Sequence, residues 1–426
     1  MRSSSHPRPS RSLLSLALGL GLVAALTSPA RAAFQETPDP TWMTNGTVFA
    51  VVRSGGYVYI GGQFTSVRST PPGTAGPTVK SIGIARLDAT TGVADKTWTP
   101  EVTRTDGKRA TVYAIAVIGG KVFLGGKFDR VDGQARRNFA AVAESDATLD
   151  PDVDAFVGSG LSQPVRAMIA SGTRVYLGGQ FTTVDGVSRP RLASFDPSGA
   201  LLGWKGRVRG SVRALGFDCE GDVVAGGTFQ TAAGPTGSFV ARDKVAIFDE
   251  TTAALQAWAT RDADLDNGMN VLDLDVNCAS QQLFAGIGGQ NWLYAFDFSD
   301  NDGEMQWRRH TAGNVQAVAV NDQGTAGASD DRVTFGGHFG GGVEYPAGAC
   351  PEAKPKTARF GIVDLQGNCD LSWMPTFQGK FAGPWDILVT GAGSQVWIGG
   401  AYTQVCDGSQ NPAPCVSRYF LSRFTS

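Results

Sequence analysis

Val175-Tyr-Leu-Gly-Gly-Gln-Phe181 is an apolar strand ending in a glycine pair and an aromatic residue, and its recurrence decides how the chain is read. The phrase returns as Tyr57-Val-Tyr-Ile-Gly-Gly-Gln-Phe64, Val122-Phe-Leu-Gly-Gly-Lys-Phe128 and Val223-Val-Ala-Gly-Gly-Thr-Phe229. It returns again as Val333-Thr-Phe-Gly-Gly-His-Phe339 and Val396-Trp-Ile-Gly-Gly-Ala-Tyr402. A degenerate copy, Leu283-Phe-Ala-Gly-Ile-Gly-Gly289, brings the number to seven.

Each copy has similar flanks. Upstream lies an alternating strand, as in Val48-Phe-Ala-Val-Val52, Val165-Arg-Ala-Met-Ile169 and Val212-Arg-Ala-Leu-Gly216. Downstream a third strand usually ends in Asp, as in Leu192-Ala-Ser-Phe-Asp196 and Val245-Ala-Ile-Phe-Asp249. A turn rich in Thr, Ser and Gly then leads to a fourth segment marked by Trp98, Trp204, Trp258, Trp307 or Trp373, with Val153 and Phe156 instead in the second repeat. Period-2 alternation with β-branched and aromatic residues specifies strands rather than helices. Four short strands per unit, repeated every ~50–60 residues, predict an all-β chain folded as a single seven-bladed β-propeller of four-stranded antiparallel blades. The blades are expected at 47–102, 111–157, 164–209, 211–261, 270–311, 314–377 and 384–426. The glycine pair suits a place where neighbouring blades converge and backbone must approach or bulge.

The last unit runs out after its third strand, while Pro40-Thr-Trp42 near the other end echoes Thr97-Trp98. Residues 39–44 are therefore expected to supply the missing strand of the last blade, closing the ring and removing two exposed edges.

Residues 165–196, and the same pattern throughout the rest of the chain, resemble the delta-60-repeat propellers of secreted bacterial proteins and of Rax2-like cortical proteins. The resemblance implies this fold and export. It carries no common catalytic residues.

Composition narrows the function classes. Of 426 residues 56 are Gly and only 18% are charged, which argues against helical bundles, coiled coils and disordered tails. A formal charge of −2 offers no basic field for nucleic acid. Arg2, Arg8 and Arg11 precede an apolar run at 13–26, and Ala30-Arg31-Ala32 has the small-x-small form of a signal-peptide cleavage site. Residues 1–32 are thus expected to be a removed signal, residues 33–426 the mature propeller, and the location extracellular. The run is too short for a membrane span, which needs about 20 residues. Losing four Arg and no acid leaves 33 basic against 39 acidic side chains.

Six cysteines in an oxidising compartment read as three disulfides. Cys406 and Cys415 bracket one loop and should pair locally. Cys219 and Cys278 end the first strands of adjacent blades and should bridge them. Cys350 is left for Cys369 or, alternatively, for the cysteines of the next blade's loop.

Chemistry-bearing motifs are sparse. Asp262-x-Asp264-x-Asp266-Asn-Gly268 alternates carboxylates as a calcium loop does, but Asn267 displaces the glycine and no closing acid follows. Calcium there is the one cofactor the sequence raises; Asp300-Asn-Asp302-Gly lacks a first ligand. His310 and His338 stand in no catalytic spacing. Asp88-Ala-Thr-Thr-Gly92 before Trp98 resembles the tryptophan-docking turns of quinoprotein propellers, yet Asp-x-x-x-Gly is ordinary turn chemistry and the tryptophans are expected to pack between blades.

The longest insertions, 65–80, 228–242, 340–356 and 403–418, follow the glycine pairs, so that face is taken as the functional one. The leading expectation is a secreted, non-catalytic and monomeric recognition or scaffold module that binds an extracellular protein or glycan through its loops. The alternative is a glycan-active hydrolase or lyase with carboxylates converging in an axial pocket.

Overall fold

The computed structural model describes residues 34–35, 37–260, 265, 268–300, 302–321, 330–344, 359–370, 372–373, 375–379, 383–390, 394–407 and 414–426. By internal contacts the chain divides into Met1–Ala32 and Ala33–Ser426. The second unit is all-β, and its sheets are antiparallel.

Seven arrays share one strand order, in which the Gly-Gly strand lies between a first and a third strand. Array one is Val48–Ser54, Tyr57–Gly62 and Ile84–Asp88. Array two is Thr111–Ile118, Lys121–Lys127 and Phe139–Ala143. Arrays three and four are Val165–Ser171, Arg174–Gly179 and Leu192–Phe195, then Val212–Phe217, Val223–Gly227 and Val245–Phe248. Array five is Asn270–Asn277, Gln282–Gly288 and Trp292–Asp297. The long strand Met305–Asn321 then closes array five with its first half and opens array six with its second, followed by Arg332–Glu344 and Phe360–Asp364. Arrays five and six therefore form one six-stranded sheet. Array seven is Pro384–Thr390, Gln395–Gly400 and Leu421–Thr425.

One irregularity recurs in all seven arrays. The register slips by one residue at the start of the first strand, between Val48 and Ala50, Val112 and Ala114, Val165 and Ala167, Val212 and Ala214, Val271 and Asp273, Val315 and Ala317, and Pro384 and Asp386. A slip of this kind is a β-bulge: the extra residue drops out of the ladder and its side chain is re-aimed. In six arrays the partner residues are the glycine pair, and in array five they are Ile287 and Gly286.

The glycines have a steric reason. A methyl on Gly61 would come within 2.8 Å of Val112 Cγ1, and one on Gly226 within 2.5 Å of Val271 Cγ1. The same approach joins each array to the next, and a methyl on Gly399 of array seven would lie 2.6 Å from Val48 of array one. Hydrophobic clusters follow the same course. One, around Trp98 and Phe128, is shared by arrays one and two, and another, around Val48, Ile60 and Trp397, by arrays seven and one.

The expected fourth strand is reduced. In five arrays it makes a single bridge to the third strand, at Ala94, Leu149, Leu201, Leu255 or Cys369. In three of these, Asp95, Asp150 and Asp370 come next, and each carboxylate accepts the backbone N–H two residues on, which turns the chain out of the ladder. Array five, where Trp307 lies inside a continuous strand, keeps a full ladder. Four-stranded units are thus corrected to three strands plus a bridged segment in arrays one, two, three, four and six, while array five keeps four strands.

Tryptophan fixes that segment across the seam. Indole N–H groups donate from Trp98 to Ala143 O, Trp204 to Asp249 O, Trp258 to Asp297 O and Trp307 to Leu365 O, each acceptor lying at or just beyond the third strand of the following array. Trp373 donates instead to Gln35 O near the N-terminus. Arginines clamp the segment from its own array: Arg136, Arg189 and Arg242 donate to the carbonyls of Asp150, Leu202 and Gln256. In array seven Arg418 donates to Asp39 O in the same manner. Asp39 N also donates to Arg423 O, and the Asp39 carboxylate meets Arg423. Of the residues expected as that strand, 39–42 thus dock beside array seven as an irregular segment, and Met43–Thr44 form a short strand paired with Arg68 and Val67 instead.

Candidate functional site

A cavity of about 390 Å³ is lined by the first strands of all seven arrays. The bulge residues form its wall: Phe49, Tyr113, Arg166, Arg213, Leu272, Gln316 and Trp385. An inward edge strand presents unpaired backbone and alternate side chains to the space it borders, and the bulge adds one more side chain to that border.

The wall is chemically divided. Trp385, Phe49 and Tyr113 come from adjacent arrays and meet edge to face, with centroids 5.1 Å apart for the first pair and 5.3 Å for the second. Arg166 follows, its guanidinium carbon 4.1 Å from the Tyr113 ring centre. Arg213 comes next, partly buried, with its Nε in no hydrogen bond. Burial and the Arg166 charge both push the Arg213 pKa down. Gln316 is only 8% exposed, and its Oε1 has no partner.

Two carboxyls complete the wall. Five arrays carry alanine directly after the bulge; arrays five and seven carry Asp273 and Asp386. Asp386 Oδ2 accepts the Val51 N–H at 2.6 Å, and Asp273 Oδ2 accepts the Val318 N–H at 2.8 Å. Each acid thereby satisfies a backbone donor on the first strand of the following array. Asp275 does the same for Val320 N–H at 2.8 Å. Protein surrounds these groups, although Asp273 and Asp386 keep some exposure to the cavity. Desolvation dominates over the bonds they accept and raises Asp386 to about 7 and Asp275 to about 6. Asp273 is raised well above the ordinary range by burial and then by the Asp386 charge.

The residues singled out from the sequence lie elsewhere. Cys219 is bonded to Cys278, with Cα atoms 5.4 Å apart, and joins array four to array five. Cys406 is bonded to Cys415 across a hairpin, as register partners 4.0 Å apart at Cα. The pairing considered for Cys350 and Cys369 falls outside the described residues because Cys350 does. So do Asp262, Asp264 and Asp266, the calcium candidates. Among the described residues no group of three or more His, Cys, Asp or Glu could hold a metal ion. Asp302 N–H donates to Asp300, a local turn. The His310 ring lies tilted against Trp292, with ring centres 4.7 Å apart, and His338 is an exposed ladder residue opposite Asn314.

The cavity residues were present in the sequence as the variable x of Val-x-Ala. The signal that could have found them is the glycine pair opposite in six of the arrays, since glycine in a strand interior often marks a bulge.

No protein-family model matches this chain, and no curated protein sequence matches it. Among solved structures, the computationally designed Ika8 protein is similar at 14% identity and a TM-score of 0.49, over 91% of this chain and 92% of that one. No helix among the described residues is long and apolar enough to cross a membrane.

Proposed function

We propose that the chain is an exported seven-bladed propeller of the delta-60-repeat kind that recognises an extracellular ligand without turning it over, and that the ligand sits in the axial cavity. The seven arrays are its blades and the N-terminal segment 39–44 closes its ring. Support for the ring comes from the seam contacts, which run from array to array and return from Gly399 to Val48. Support for recognition comes from one observation above all: seven equivalent bulges aim side chains of six different kinds at one space. A purely architectural channel has no use for a wall divided into aromatic, cationic and acceptor arcs, whereas ligand sites combine apolar surface with a few placed polar groups. The loop hairpins, which leave the arrays at the glycine-pair end, then serve as the rim of that mouth. Two disulfides fit an oxidising compartment.

A glycan-active enzyme remains the second reading, favoured by the raised Asp273 and Asp386 carboxyls. Both are already engaged as acceptors for neighbouring backbone, which suits a structural and binding role better than proton transfer. The test is a glycan and small-molecule array probed with the full chain and with Trp385→Ala. Retention by the full chain that Trp385→Ala abolishes supports axial recognition. Product release from any arrayed glycan establishes the enzyme reading, and retention indifferent to Trp385 and Phe49 substitutions returns the site to the loops.

A further inference from the structure

Resting on the axial-recognition reading, we infer that the ligand is a hydroxylated ring carboxylate, a uronic acid unit, with its anionic group on Arg166 and Arg213 and its ring against Trp385, Phe49 and Tyr113. The assignment follows from what the wall leaves unsatisfied. Arg166 and Arg213 are successive around the ring and face the same space. Neither forms a hydrogen bond or ion pair with a described residue, and the Nε of Arg213 is buried without an acceptor. Two adjacent guanidinium groups without a carboxylate between them form a site for one, because planar fork donors match a planar anion.

The opposite arc makes the complementary demand. Gln316 is more than nine-tenths buried, lines the cavity and has an unpartnered Oε1. Asp273 and Asp386 stand on either side of it in the arrays before and after. That arc calls for donors, which the hydroxyls of a sugar ring supply. The remaining arc is three aromatic faces and edges, which suit the C–H faces of a pyranose. An inorganic anion would fill the arginine pair and leave the aromatic arc empty. A neutral sugar would leave the two guanidiniums facing each other. Only a ligand with an anion at one end and hydroxyls at the other satisfies all three arcs, and about 390 Å³ is within the range of small-molecule sites.

The experiment is calorimetric titration of the full chain with glucuronate, glucose and benzoate, then with a uronic acid oligosaccharide. Glucuronate should bind at least about tenfold more tightly than glucose, which brings no carboxylate to the arginine pair, and than benzoate, which brings no hydroxyls to the acceptor arc. Arg213→Gln should abolish this preference while Arg213→Lys keeps part of it, with unfolding midpoints showing that each variant is folded. The oligosaccharide separates a free acid from a chain terminus, and binding of either with the carboxylate preference upholds the inference. Equal affinity for glucose and glucuronate, still lost in Trp385→Ala, overturns the uronate assignment and leaves axial recognition standing. Tighter binding of benzoate overturns the hydroxyl arc, and no response to any uronate overturns the inference outright.

Discussion

Arrays two and five place their first strands in the same way, with a bulge against a glycine and the next array's valine pressed on that glycine, yet one carries Ala114 and the other Asp273 at the position after the bulge. In array two that side chain is a methyl buried in a seam. In array five it is a carboxyl that reaches across the seam to the Val318 N–H. The backbone is common property of the repeat. The chemistry at the cavity is set one residue at a time, so a repeat protein can hold a fixed scaffold while the wall of its cavity loses all symmetry.

The largest expected effect tests the common part. Trp98 ties array one to the alanine-type array two, and Trp258 ties array four to the aspartate-type array five, each through an indole bond. Trp98→Ala and Trp258→Ala should each cost about 3–5 kcal/mol in denaturant unfolding, as buried aromatic truncations do. A large difference between the two would show that the seams are not equivalent.

An intermediate effect tests the divergent part. Asp386→Ala leaves the Val51 N–H without its acceptor and should cost about 1–3 kcal/mol. Asp386→Asn keeps an acceptor oxygen and should lose clearly less. If both variants unfold with the wild type, the carboxyl does not latch array seven to array one.

The remaining test of the divergent part is a slope with pH. The folded pKa values of Asp386, Asp273 and Asp275 lie above the unfolded value, so the native state binds more protons over that interval. Their contribution is complete below about pH 4 and is lost as pH rises through about 6 for Asp275 and about 7 for Asp386. Asp386 faces Asp273 and the Val51 N–H, with Arg166 and Arg213 on another part of the wall. The unfolding midpoint should therefore fall between about pH 4 and about pH 7, and Asp386→Asn should flatten the fall. A midpoint that rises over that interval would contradict the burial of these acids.

How much of this was legible beforehand depends on the kind of contact. The strands could be read because alternation and turn residues act over a few positions. The Cys406–Cys415 bond was legible for the same reason, its partners bracketing one short loop. The fourth segment was misread because its composition is that of a strand, while the side chains of Asp95, Asp150 and Asp370 compete with the ladder for backbone donors. The cavity wall was not read at all. Phe49, Arg213 and Gln316 look like ordinary variable positions until distant arrays are brought around one space.

The sequence by itself determined a seven-fold, all-β repeat, its glycine-pair punctuation and the cysteine pairs whose partners its spacing brings near. Those features depend on local periodicity and on sterics between a glycine and whatever lies over it. Only the tertiary structure decided that the residue between Val and Ala is a bulge aimed at a cavity. Only it could place two unpaired arginines, one unpartnered glutamine oxygen and three aromatic rings, drawn from different arrays, on one wall, because that neighbourhood exists only once the first strands face a common space.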